Sequence, residues 1–123
     1  MEQKYHYQAH TGAINVLASA AERNSDSARN IRTIAAACAD GKTALDPRFT
    51  VAIKKAFESL CEEKPPIPGR VDLAWEEIQK LRRANYYHWH TGDLHPVIEF
   101  NAKQWEDLQR MYETWAEKNR LLS

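Results

Sequence analysis

An all-α fold of about five helices, forming one domain over residues 1–123, is what this sequence predicts. Three observations lead there. Apolar residues recur at three- and four-residue spacing in one segment after another, the period of a helix with one buried face. Residues that start or stop helices bracket those segments. A length of 123 residues leaves room for one hydrophobic core and not for two.

The first helix is expected from about Ala9 to Arg23, with Ile14, Leu17, Ala18 and Ala21 on one face, before Asn24 and Ser25 interrupt it. The second is expected from about Asp26 to Asp40. Ser25 or Asp26 serves as its cap, Ile31, Ala35 and Cys38 as its apolar face with Ile34 beside them, and Gly41 follows where a left-handed cap residue fits. The third has the clearest start. Asp46-Pro47 places a capping side chain before a proline whose missing N–H costs nothing in the first turn. Phe49, Ile53, Phe57, Leu60 and Cys61 then share a stripe, and Lys64-Pro65 closes it.

Residues 65–69 (PPIPG) read as a stiff extended connector between helices. The fourth helix is expected from near Asp72, with Trp75, Ile78 and Leu81 on its face, running on into Tyr86–His90 until Thr91-Gly92-Asp93 breaks it. Room remains for one short β element, in Tyr5–Tyr7 or Val97–Phe100. The fifth helix is expected from Asn101, which forms with Gln104 a variant of the reciprocal capping box. Its stripe is Trp105, Leu108, Tyr112 and Trp115.

Lys+Arg and Asp+Glu balance at 17 each, and neither sign gathers in a tail. That disfavours a dedicated electrostatic nucleic-acid binder or a protein held on a membrane surface. The longest apolar run, Ile34 to Ala39, is far short of the roughly 20 residues of a membrane span. The start MEQKYHYQAH is polar and carries no secretion-type apolar core, so a cytoplasmic location is expected. Cys38 and Cys61 lie in helical apolar patterns and read as buried reduced thiols. No phosphate-cradling glycine loop, nucleophile elbow or paired-cysteine motif occurs, and no cofactor is expected. The adjacent pairs Glu62-Glu63 and Glu76-Glu77 read as solvated helix surface, and Trp105 and Trp115 as core.

One stretch is dense in chemistry: Arg82, Arg83, Tyr86, Tyr87, His88, Trp89 and His90, followed by Asp93 and His95. The ligand types for zinc are there in His88, His90, Asp93 and His95. His88 and His90, two residues apart, do not share a helix face, and no metal is assigned. A surface for a macromolecular partner is the preferred reading. Tyr, Trp and Arg are the side chains that carry binding energy at interfaces, and aromatic bodies with polar tips suit a partly buried helix end. The expected function is therefore a small regulatory or inhibitory protein that binds another macromolecule, a protein before RNA. A homodimer is compatible with the sequence and a membrane partner is not expected.

The alternative rests on Arg83 and His88, separated by four residues at the end of an amphipathic helix. This resembles the Arg-x4-6-His motif of HEPN domains, which are small helical bundles, and Arg82 to His88 also fits the spacing. The resemblance implies metal-independent RNA cleavage, with His88 moving a proton and the arginine stabilising charge on the scissile phosphate. Ala84 stands after Arg83 where that family favours a polar residue.

Overall fold

The computed structural model describes residues 11–21, 25–39, 47–65, 67–83, 85–88, 93–96 and 98–119. In chain order these form α1 (Thr11–Ala20), α2 (Ser25–Ala39), α3 (Pro47–Cys61), α4 (Pro68–Arg83), β1 (Asn85–His88), β2 (Asp93–Pro96) and α5 (Ala102–Asn119). The five-helix expectation holds. The segment Tyr5–Tyr7 lies outside the described residues, as does Val97.

α3 is the hub, packing against α1, α2, α4 and α5, while α1 also packs on α2 and α4. The reason is its composition. Thr50, Ala52, Ile53, Ala56, Phe57 and Leu60 are all buried, so α3 offers apolar surface over more than a single stripe. Phe57 is completely buried. It shares one buried cluster with Ile14 and Leu17 from α1, Ile31 and Ile34 from α2, Val71 and Ile78 from α4, and Leu108 and Trp115 from α5. Ala13 and Ala18 of α1 and Ala52 and Ala56 of α3, all buried, keep the helices close where they meet.

The start of α4 corrects the sequence reading. Its first turn begins at Pro68, four residues before the expected Asp72, so the connector ends sooner than residues 65–69 suggested. The amides of Arg70 and Val71 donate to the carbonyl of Ile67 at 3.0 and 3.4 Å, closing the turn. Proline is at home in that first turn because the position has no amide bond to lose.

The end of α4 is the larger correction. The helix stops at Arg83, and Asn85–His88, expected to prolong it, pairs antiparallel with Asp93–Pro96 instead. Lys80, Arg82 and Arg83 complete the last turn, where cations meet the negative end of the helix dipole. Aromatic residues such as Tyr86 and Tyr87 fit a pleated strand better than a helix terminus. The β element is therefore the pair Asn85–His88 and Asp93–Pro96, and Ile98–Phe100, in a segment that reads as a short strand or an extended arm, is irregular.

α5 begins as expected. The amide of Gln104 donates to Asn101 Oδ1 at 2.7 Å, and the amide of Asn101 donates to Gln104 Oε1 at 3.0 Å. The same Gln104 donates through Nε2 to Thr50 Oγ1 at 3.0 Å, tying the cap to α3. One turn on, Lys54 Nζ donates to Asp107 Oδ2 at 2.9 Å. The matching order of these partners shows that α3 and α5 run parallel.

Candidate functional site: the α4–hairpin–α5 corner

α4 and α5 both lie on α3 and meet each other through aromatic side chains. Trp75 of α4 is the centre of that seam. Its ring stacks on Phe57 at 5.6 Å between centroids, on Trp105 at 5.5 Å and on Tyr112 at 5.0 Å. Tyr112 continues the stack to Trp115 at 6.0 Å, and Phe100 leans on Trp105 at 5.9 Å. These separations fall in the favourable range for aromatic pairs. The Tyr112 hydroxyl donates to Asp72 Oδ1 at 2.8 Å, which fixes the turn of α5 against the start of α4. Trp115 is core, as expected, whereas Trp105 is only partly buried.

At the open end of the seam sits Arg82. Its side chain is exposed, yet its guanidinium carbon lies 4.3 Å from the Trp105 ring centroid. A guanidinium over an indole face is held by the ring quadrupole, worth about 0.5–1 kcal/mol at an exposed site. The contact biases the exposed Arg82 side chain toward the indole face of Trp105. Arg83, the last residue of α4, is exposed beside it.

The chain leaves this corner through β1 and returns to it through β2. The register sets Tyr86 opposite His95, Tyr87 opposite Leu94, and His88 opposite Asp93. The period of two places Tyr86, His88, Asp93 and His95 at positions of one hairpin face, and Asn85, Tyr87, Leu94 and Pro96 at positions of the other. Trp89 and His90 lie outside the described residues. Arg83 and His88 thus stand on different elements, a helix end and a strand end, and not on one helix. Among the described residues no three His, Cys, Asp or Glu groups converge on a metal-sized site. No helix among them is long and apolar enough to cross a membrane.

Sequence reasoning missed Trp105 as part of this corner, because only the fold brings it to Arg82. It also misplaced Glu77. That carboxylate is not surface: the residue is 3% exposed, set among Ile14, Leu17, Ile31 and Ile34, with its Oε1 3.3 Å from Lys80 Nζ. Adjacent helix residues point about 100° apart, so Glu76 and Glu77 cannot share one environment on a helix buried along Ala74, Ile78 and Leu81. Glu76 is the solvated one.

No protein-family model matches the chain, and no match is found among curated proteins or solved structures.

Proposed function

We propose that the chain is a small regulatory or inhibitory protein that works by binding another protein through the α4–hairpin–α5 corner. The observation that carries the reading is the Arg82 guanidinium held over Trp105. An exposed arginine already fixed on an aromatic support loses little further freedom when a partner arrives, so more of its contact energy appears as affinity. Arg83 is exposed next to Arg82; Tyr86, Tyr87 and His88 follow it on β1, and Trp89 and His90 belong to the same stretch of sequence. The donor fork of Arg82 suits a carboxylate or backbone carbonyls on the partner. The working compartment is the cytoplasm, and no cofactor or membrane takes part.

The test is capture from a lysate of the native source with immobilised wild type, Arg82→Ala and Arg83→Ala proteins, each verified as folded by circular dichroism. A partner held by wild type and lost by Arg82→Ala supports the reading. A capture profile unchanged by both variants sinks it. RNA cleavage in the presence of EDTA, abolished by His88→Ala, would instead favour the HEPN-like ribonuclease with Arg83 and His88 as its pair.

A further inference from the structure

We propose that the face formed by α3 and α5 is a self-association surface, on which a second copy of the chain docks about a twofold axis running along the groove between the two helices. This face flanks the aromatic seam and meets it at Trp115, but neither Arg82 nor Trp105 lines it, so the proposal does not draw on the partner-binding corner.

The groove has a volume of about 460 Å³. Its floor is apolar, with the half-buried Cys61 and Met111 over Trp115. Its walls differ in charge. The α3 wall carries Glu58 and Glu62, both exposed. The α5 wall carries Arg110 and Lys118, both exposed. Asp107, also on the α5 side, is already neutralised by Lys54 at 2.9 Å and Lys103 at 3.0 Å. Arg110 makes only long pairs within its own helix, 3.6 Å to Glu106 and 3.5 Å to Asp107. Glu58, Glu62 and Lys118 have no ion-pair partner among the described residues. The exposed Val51 lies on the same α3 stripe as Glu58 and Glu62, at positions i, i+7 and i+11.

The arrangement selects one symmetry. An isologous pair presents the same patch twice, so each contact occurs in both directions. A twofold axis across the groove would set α3 on α3 and α5 on α5, acid against acid and base against base. An axis along the groove sets α3 of one copy over α5 of the other and preserves level along the helices. Because α3 and α5 run parallel, with Lys54 level with Asp107, Glu58 then falls near Arg110 of the second copy and Glu62 near Lys118. The charges unpaired or only loosely paired within one copy are complementary between two.

Sedimentation velocity over a concentration series, under reducing conditions and at low salt, reads the result. Wild type shifts from monomer to dimer with concentration, and added salt pushes it back. Glu58→Lys/Glu62→Lys and Arg110→Glu/Lys118→Glu, each verified as folded by circular dichroism, have dissociation constants raised about tenfold or more, since opposite charges become like charges at every pair. Mixing the two double variants restores the dimer as a heterodimer, because each then supplies the wall the other lacks. Wild type that remains monomeric up to millimolar concentration overturns the proposal. So does a dimer that both double variants leave intact, or a mixture of the two that fails to associate.

Discussion

Truncating Phe57 to alanine tests the packing that places everything else. The side chain has no solvent exposure, sits at the middle of the hub helix and stacks on Trp75 at 5.6 Å. Its loss removes the transfer energy of the ring and leaves a cavity between helices that are pinned elsewhere by Thr50–Gln104 and Lys54–Asp107. With little scope for collapse, the cost should be about 3–5 kcal/mol. That is a large share of the roughly 5–15 kcal/mol that holds a domain of this size together. The stack on Trp75 makes the effect local to the site as well, since Trp75 is the plate on which Trp105 and Tyr112 rest. The assay is urea unfolding followed by circular dichroism and by tryptophan fluorescence. Val51→Ala on the same helix is the internal control, because Val51 is 42% exposed and its loss should stay within about 0.5 kcal/mol. A Phe57→Ala cost no larger than that of Val51→Ala would refute the assigned buried face of α3.

Further outcomes follow from individual contacts. Asn101→Ala removes one half of the reciprocal cap on α5 and should lower stability by about 1 kcal/mol, read in the same urea titration. The hydrogen bonds from Lys54 and Lys103 hold the Asp107 carboxyl below its ordinary value. A depressed carboxylate contributes stability above its unfolded value that is lost as pH falls through the folded one. Wild type and Asp107→Asn should therefore differ in urea midpoint at neutral pH and converge below about pH 4; a gap that widens in acid would contradict the pairing. Burial, with Glu62 and Glu58 nearby, pushes the Cys61 thiol up to about 12. Its reaction with a thiol reagent at pH 8 should be slow in the native state and fast in urea.

What could be read from the sequence was whatever depends on local spacing. The period of Ile53, Phe57 and Leu60 and the Asn101–Gln104 box each involve residues within about one or two helical turns, and both are realised. The end of α4 was not legible. Leu81, Asn85 and Tyr86 keep a helical spacing by coincidence, and the pairing of Tyr86 with His95 and of Tyr87 with Leu94 is a longer-range event that periodicity does not register. The buried Glu77 was hidden because paired acidic residues look alike in a string, although one of them faces α1 and α2. For the candidate site, the sequence singled out Arg82 and Arg83 but did not register what surrounds them. Its aromatic support, Trp105, comes from the far side of the hairpin, and Arg83 and His88 fall on separate elements.

The most direct test of the binding account is calorimetric titration of the captured partner into wild type and into Arg82→Ala, after circular dichroism has confirmed that the variant is folded. In the proposed reading, the Arg82 guanidinium 4.3 Å from the Trp105 ring centroid is the anchor of the surface. Its removal should weaken binding about thirtyfold, equivalent to about 2 kcal/mol. Equal affinities for the two proteins would contradict the account and move the interface away from this corner.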